Sequence, residues 1–364
     1  MHASKGFALL FLCVCCIATA RETPPQVWSA TSATEPSIQY LGVGGWLMHW
    51  RGEGVMLAPS FSNPATLFEG VPPLWVKADK QRINTYMRRA PADDVTLLLV
   101  GHGHYDHLLD VPWVMHWYAR NAEVYGSDTV VHMLRAFKDP RQVGQHNWLD
   151  PARVRSARGY MATVPGCAGR KPPARPGYWI TSKGGHIRVM PIESMHASHL
   201  LGHTFAQGDY HADLRTPPSS VFGWKQGQSM AWLIDLLNED GKPAYRIQYQ
   251  DSAASSPCGI LPTPPDATPV DVLVLGVGSW RHARLYPQRV LAATQPRMVL
   301  LGHWENFLGN DPDAPEPMKG QEVAEMQATV EDLARQQTPP ATVYLPSPFT
   351  RIALPAPLTL PADR

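Results

Sequence analysis

Residues 95–110 read VTLLLVGHGHYDHLLD, and this stretch decides the fold. A short apolar run that ends at a glycine predicts a buried β-strand. If the chain stays extended beyond the strand, His102, His104 and Asp106 point the same way, and a turn brings His107 beside them. Three imidazoles and a carboxylate are too polar to be buried unpaired, and one bound cation would satisfy them all. Imidazole with carboxylate suits zinc, iron or manganese.

The alternative is a solvent-exposed turn that happens to be rich in histidine. An H-x-H-x-D-H pattern directly after a hydrophobic strand is far more specific than a pair of histidines. The motif resembles that of the metallo-β-lactamase-fold hydrolases. Its form H-x-H-Y-D-H-L is similar to the branch that holds N-acyl-phosphatidylethanolamine-hydrolysing phospholipase D and the ascorbate-6-phosphate lactonases. The resemblance implies an α/β fold, an αββα four-layer sandwich with two mixed sheets face to face and helices outside.

The resemblance also implies further metal ligands, each just after a predicted strand. His196 fits the family spacing V-x-P-x-x-x-x-H, and Asp251 stands in the place of the bridging carboxylate that usually follows glycine. The segment HWENF that begins at His303 is similar to the family's HWGTF. Two divalent ions are implied, with zinc as the first choice and iron or manganese as alternatives. The first metal would take His102, His104 and His196, the second would take Asp106, His107 and His303, and Asp251 would bridge the two.

Some residues near the predicted site have alternative roles. His199 and His203 are rivals of His196 as a ligand, and otherwise they would line the substrate cleft. His282 is a candidate for substrate contact or a surface residue. The sequence also departs from the family, because Gly42–Gly45 stands where relatives carry "WLGHAS", so the histidine of that pattern is absent.

Secondary-structure signals alternate between strands and helices, which favours an α/β fold. Residues 139–178 are rich in loop signals and are expected to lie over the site. The predicted strands are 37–49, 54–57, 95–100, 123–126, 178–182, 186–191, 229–237, 245–250, 270–276, 296–301, 341–345 and 351–353, and the last two are expected to finish one sheet. The predicted helices are 79–89, 108–121, 128–137 and 321–336.

The first twenty residues predict a signal peptide, because His2 and Lys5 precede a short apolar stretch and an A-x-A site follows. Export to a periplasm or the medium is expected. A lipoprotein is the less favoured alternative, since small residues precede none of the three cysteines in this segment. Residues 21–364 are predicted to form a single domain.

The charge balance argues against partners that are polyanions. The whole chain has 32 Lys and Arg against 31 Asp and Glu, and the predicted signal peptide holds one lysine and no acid. A balanced chain is not expected to bind nucleic acid, and we expect a small-molecule substrate, of which a phospholipid-like molecule is one candidate. Two cysteines follow the signal segment, Cys167 and Cys258, and they are either bridged in an oxidising compartment or free thiols.

The predicted function is that of an exported dinuclear hydrolase in which a metal-bridged hydroxide attacks a phosphodiester-type substrate. Asp251 would fix the spacing of the metals, and Asp106 would orient the hydroxide. The same site would also suit a lactone or another acyl group, including a β-lactam or amide. A non-catalytic binding protein with a structural metal is a further alternative, but structural zinc sites are closed and often rich in thiolates. Seven nitrogen and oxygen ligands without cysteine are more typical of an open, catalytic site.

Overall fold

The computed structural model describes residues 36–66, 73–137, 149–169, 173–199 and 204–357. The predicted signal peptide, residues 1–20, lies outside the described residues, as does His203. The strands are β1 (Ser37–Gly42), β2 (Gly45–Trp50), β3 (Glu53–Leu57), β4 (Val95–Leu99), β5 (Glu123–Gly126), β6 (Val154–Ser156), β7 (Ile180–Thr181), β8 (Ile187–Glu193), β9 (Met230–Leu237), β10 (Pro243–Gln250), β11 (Val272–Gly276), β12 (Met298–Gly302), β13 (Thr342–Tyr344) and β14 (Arg351–Ala353). The α-helices are α1 (Lys80–Met87), α2 (Tyr105–Leu108), α3 (Val111–Trp117), α4 (Asp128–Leu134), α5 (Gln288–Thr294) and α6 (Val323–Arg335).

These strands form two seven-stranded mixed sheets, in the orders β14-β1-β2-β3-β4-β5-β6 and β13-β12-β11-β10-β9-β8-β7. The first sheet is antiparallel from β14 to β3 and parallel from β3 to β6. The second repeats the pattern, antiparallel from β7 to β10 and parallel from β10 to β13. The predicted strands 341–345 and 351–353 therefore do not finish one sheet, because β13 and β14 lie in different sheets.

The two sheets share a core because their strands alternate side chains between two faces. Ile38 and Met48 of the first sheet are buried in one cluster with Trp232 and Ile234 of the second. The other face of the first sheet carries Leu41 and Leu47, which are buried with residues of α1 and α3. Residues of α5 and α6 complete the burial of the second sheet. The αββα sandwich predicted from the sequence is confirmed, whereas the single domain over 21–364 stays a prediction.

Two predicted elements are split in the structure. The predicted strand 37–49 forms the hairpin of β1 and β2, with a turn at Val43 and Gly44, because Gly42 and Val43 take positive φ angles of 100° and 52°. The predicted helix 108–121 is wrong in its bounds. Only Leu108 lies in α2, and α3 covers Val111–Trp117 of the predicted range. Pro112 lies in the first turn of α3, where a missing N–H costs least.

The region 139–178, predicted to be loop, contains one edge strand, β6, and three short 3-10 helices in its described part. Cys167 lies in one of these helices and forms a disulfide with Cys258, 91 residues later. Of the two alternatives left open by the sequence, the structure shows the bridged one. Both half-cystines are buried beside Ile192 and Leu233 on the second sheet. No helix among the described residues has the length and apolar character needed to span a membrane.

Candidate metal centre

The strand directions gather the predicted ligands at one edge of the sandwich. β10 and β12 run the same way because each is parallel to β11, and β8 runs parallel to β10 because β9 is antiparallel to both. The candidate ligands follow the carboxyl ends of β4, β8, β10 and β12. In α/β sheets, loops at the carboxyl ends of strands form the usual binding crevice. β4 leads to His102, β8 leads to His196, Asp251 follows β10 directly, and His303 follows β12 directly.

Seven side chains that were predicted as ligands form three overlapping groups, in each of which the ligand atoms lie within 4.8 Å of one another. His102 belongs to the first and second groups, and His107 belongs to the second and third. The middle group contains Asp251, whose Oδ2 lies 3.3 Å from His102 Nδ1 and 3.4 Å from His107 Nδ1. Asp251 thus lies between two sites, as a bridging carboxylate would. The groups are His102, His104 and His196; His102, His107 and Asp251; and Asp106, His107 and His303.

Buried polar atoms without partners test whether these residues fit a metal. His102 Nε2, His104 Nε2 and His303 Nδ1 are buried and have no hydrogen-bond partner among the described residues, nor has Asp251 Oδ2. Each such atom costs about 1–3 kcal/mol when it is left unsatisfied. Two cations would satisfy the whole cluster, and the donor set of imidazole and carboxylate suits divalent transition metals. The residues therefore fit a dinuclear centre.

For His102, His104 and Asp106 the electrostatics favour the protonation states that metal ligands need, whereas Asp106 and Asp251 outweigh burial and raise the pKa of His107. Burial and the neighbouring imidazoles hold the pKa of His102 well below its usual value, and burial lowers the pKa of His104 to about 4. Both rings are therefore neutral near pH 7. Burial alone would raise the pKa of Asp106, but His107 and His303 outweigh it and hold that pKa well below the usual range. Burial raises the pKa of Asp251, so its carboxylate depends on nearby positive charge.

His196, and not His199, is oriented as a ligand. The ring of His196 lies 4.6 Å from that of His102 and 5.0 Å from that of His104, centroid to centroid. Its Nδ1 is 2.6 Å from the carbonyl oxygen of Ala197. An Nδ1–H that donates to a carbonyl fixes the tautomer and leaves Nε2 to bind a metal. His199 instead accepts a hydrogen bond from the Phe205 amide through its Nδ1, at 3.1 Å.

A cavity of about 390 Å³ opens onto the ligands. Its polar lining includes His104, Asp106 and His199. His199 thus lines the cavity, as expected for it if it is not a ligand. The remaining wall is largely apolar and aromatic. His282 is not among the described residues that line it; its ring Nδ1 lies 2.6 Å from the Ser198 carbonyl oxygen, and its role in substrate contact stays a prediction. The apolar lining residues are Leu74, Phe205, Ala206, Val221, Phe222, Phe307, Leu308 and Met318.

Two glycines let the backbone approach the ligands closely. A Cβ on Gly101 would lie 2.3 Å from Asp251 Oδ2, and a Cβ on Gly44 would lie 2.5 Å from His107 Nδ1. The glycine-rich turn that replaces the family's "WLGHAS" segment therefore packs directly on a candidate ligand. Tyr249 fixes that turn, since its hydroxyl donates to the Gly44 carbonyl oxygen at 2.7 Å.

The sequence did not single out Tyr40 or Glu305, which form a buried polar network beside His303. The Tyr40 hydroxyl donates to Glu305 Oε2 at 2.5 Å, and both residues have no exposed surface. Burial raises the pKa of Tyr40 well above its usual value, and it also raises the pKa of Glu305. The available signal was the acid in HWENF, which stands where the family pattern HWGTF has glycine.

No family model matches the chain, and no curated protein matches it. Solved structures do resemble it at low sequence identity. Igni18, a metallo-hydrolase from the archaeon Ignicoccus hospitalis, has 14% identity and a TM-score of 0.46, with 88% of this chain and 99% of that chain covered. YhfI of Bacillus subtilis, a metallo-β-lactamase-fold protein, has 11% identity and a TM-score of 0.45, with 87% and 98% covered.

A third similar structure is CmlA, a diiron β-hydroxylase from Streptomyces venezuelae, at 14% identity and a TM-score of 0.43. The alignment covers 88% of this chain and 54% of CmlA. These neighbours are metalloenzymes or proteins of the metallo-β-lactamase fold, but the identities are too low to transfer a substrate. The assignment of the fold rests on this chain's own two mixed sheets, which share one pairing pattern, and on the loops with candidate ligands at one edge. By that architecture, the chain has the metallo-β-lactamase fold.

Proposed function

We propose that this protein is a metal-dependent hydrolase with a dinuclear centre at the carboxyl edge of its sheets. The observation that carries the proposal is the set of three overlapping ligand groups below a cavity. Two divalent cations there, with zinc as the first choice and iron or manganese as alternatives, would activate water as a nucleophile and stabilise charge that develops on the substrate. The absence of thiolates from the predicted ligand set, together with the adjoining cavity, supports a catalytic rather than a structural metal.

Asp251 and Asp106 would have different roles because of where they lie in the cluster. Asp251 would hold the spacing of the two cations, since it lies within 3.4 Å of one ligand from each site. Asp106 lines the cavity and its Oδ2 lies 3.3 Å from both His107 Nε2 and His303 Nε2. Its carboxylate would therefore orient the attacking water. No serine or cysteine nucleophile is needed.

The preferred substrate is a phosphodiester next to an apolar group. The phosphodiester preference rests on the likeness of Tyr105 in H-x-H-Y-D-H-L, and of His303 with Trp304, to the phospholipase D-like branch. The apolar wall formed by Leu74, Phe205 and its neighbours supports an apolar substituent. Hydrolysis of a lactone or of another acyl group is the second candidate, because the same ligand set serves acyl centres.

Export is part of the proposal. The sequence pattern of residues 1–20 supports it, and the bridge between Cys167 and Cys258 is of the kind that persists in oxidising compartments. Cell fractionation with an antibody against the protein tests this directly. The protein should be found in the periplasm or the medium with its first twenty residues removed, and an intact N-terminus in the cytoplasm would refute export.

The test of the chemistry compares kcat/KM on bis(p-nitrophenyl) phosphate with kcat/KM on a lactone panel. We expect turnover of the phosphodiester, and Asp251→Ala should abolish it because the two cations lose their common ligand. A control variant, His132→Ala, should keep it, since His132 pairs with Asp213 away from the cluster. Turnover of lactones with none of any phosphodiester would reverse the order of the two candidates.

A further inference from the structure

A buried carboxylate near the second metal site is bonded to the β1–β2 hairpin. Glu305 follows the candidate ligand His303 by two residues and has no exposed surface. Its Oε2 accepts from the Tyr40 hydroxyl at 2.5 Å, and its Oε1 accepts from the Val43 amide at 2.6 Å. Gly42 leaves the room for this contact, because a Cβ there would lie 3.0 Å from Glu305 Oε1. The side chain thus ties the loop after β12 to a different part of the chain.

The same hairpin holds the backbone of His303. The His303 amide donates to the Tyr40 hydroxyl oxygen at 2.9 Å and to the Val43 carbonyl oxygen at 2.8 Å. His303 has a φ of 55°, a left-handed conformation that few residues other than glycine adopt. Such backbone persists only where the surroundings impose it. The hydrogen bonds between Tyr40, Val43 and Glu305 supply that constraint. They therefore fix the backbone position from which the His303 side chain extends.

The hairpin also contacts the other imidazole of the second site. Gly44 packs against His107, with a Cβ position only 2.5 Å from its Nδ1. The rings of His107 and His303 lie 5.0 Å apart, and both reach Asp106. Movement of the hairpin would therefore shift two of the three ligands together. The hydrogen bonds of Tyr40, Val43 and Glu305 given above reach His303, and none of them reaches His104 or His196 of the first site.

We propose that Glu305 is a positioning residue for the second metal site, acting through Tyr40 and Val43 on His303. This rests on the proposed dinuclear centre. Partners that orient metal ligands typically contribute 10–100-fold to metal affinity. Loss of Glu305 should therefore weaken the second ion by about 10–100-fold, while the first ion keeps its affinity. A general loss of stability would not separate the two sites in this way.

The test is a titration of metal-free protein with Co²⁺, followed by its absorption spectrum and by elemental analysis. The variants are Glu305→Ala, Glu305→Gln and Tyr40→Phe. Glu305→Gln should restore part of the affinity, since its amide oxygen still accepts from Val43. Tyr40→Phe removes the hydroxyl but keeps the ring, whose centroid lies 4.6 Å from that of Trp46, so it tests the network if Glu305→Ala fails to fold.

The matched control is Glu53→Ala, which removes another buried carboxylate. Glu53 begins β3 and so lies at the end of that strand away from the β1–β2 turn. Glu53 accepts bonds from the Gly184 and His186 amides and from the Ser182 hydroxyl. We expect two Co²⁺ per chain in the wild type and in the control, with a selective loss of one in Glu305→Ala and Tyr40→Phe. If the folded variants bind both ions as tightly as the wild type, the inference is overturned and the dinuclear centre stands. A wild type that binds no Co²⁺ overturns the centre itself and, with it, the inference.

Discussion

His196 and His199 lie three residues apart, yet they should behave differently towards the metals. His196 adjoins His102 and His104 and has its Nδ1 fixed by a carbonyl, whereas His199 lines the cavity. His196→Ala should therefore lose about one of two ions by elemental analysis, since a three-ligand site would lose a ligand. His199→Ala should retain both ions and change kcat or KM on the substrate. If His199→Ala loses a metal and His196→Ala does not, the assignment of these two residues is reversed.

Asp110 should make stability depend on pH. It accepts bonds from the Phe61 and Ser62 amides and from the Ser62 hydroxyl, but burial raises its pKa to about 6. A raised pKa means that the folded state binds the proton more tightly than the unfolded state does. The contribution of the protonated carboxyl is thus complete below about pH 4 and is lost as the pH rises through about 6.

Urea denaturation of wild type and Asp110→Asn at pH 4 to 7 measures this effect. The wild type should lose free energy of unfolding relative to the variant as the pH rises, because asparagine imitates the protonated form. Asp128→Asn is a control of opposite sign. There burial is outweighed by the hydrogen bonds of Ser156 and Arg158, which lower the pKa of Asp128. A pH-independent difference for Asp110→Asn would contradict the expected titration.

At the scale of residues, the cluster of candidate ligands was predictable because its chemistry is rare. Three histidines and an aspartate within six positions of a buried strand have few explanations other than a metal. Asp251 was identifiable only through its position after a strand and its resemblance to a family pattern. The acid in HWENF marked Glu305 as unusual, but the contact between Tyr40 and Glu305 was not predictable, since the two residues are 265 positions apart.

The turn between β1 and β2 should be intolerant of any side chain at one position. A Cβ on Gly44 would lie 2.5 Å from His107 Nδ1 and 2.7 Å from its Cε1. Gly44→Ala should therefore displace His107, and kcat should fall while the protein remains folded by circular dichroism. Gly159→Ala is the control, since a Cβ there meets nothing within 4 Å. Full activity of Gly44→Ala would show that His107 can move without cost to the reaction.

Elements were predicted well where their periodicity was long and poorly where a tertiary contact decides them. The neighbouring strands predicted at 178–182 and 186–191, and at 229–237 and 245–250, are present as the antiparallel pairs β7–β8 and β9–β10. The predicted strand 37–49 is divided into β1 and β2 because Gly42 and Val43 have positive φ angles. The continuous apolar sequence there gives no indication of this turn. Helix α5 was missed because its seven residues are too short to carry a clear pattern.

The disulfide should stabilise the whole molecule without taking part in the reaction. It joins residues 91 apart and lies in a small buried cluster on the second sheet. The variant Cys167→Ala, Cys258→Ala should lose about 2–4 kcal/mol of unfolding free energy, as measured in urea with metal present. Its metal content should stay at the wild-type value. A variant that is as stable as the wild type would show that packing around Ile192 and Leu233 suffices.

The sandwich as a whole was predictable from the resemblance, since alternating strands and helices leave few other architectures for the metal motif. The order of strands was not, because β14 pairs with β1 across more than three hundred residues. The matching pattern of the two sheets explains why ligands distant in sequence meet. Each sheet changes from antiparallel to parallel pairing at β3 or β10, and the ligand loops follow the carboxyl ends of β4, β8, β10 and β12.

The most direct test of the central claim is reconstitution of metal-free protein with increasing equivalents of Zn²⁺, Mn²⁺ or Fe²⁺. Turnover of bis(p-nitrophenyl) phosphate is measured at each step. The dinuclear account predicts that activity is absent without metal, rises with addition and saturates near two ions per chain. Activity that persists in the metal-free protein, or a folded chain that binds none of these ions, would contradict it.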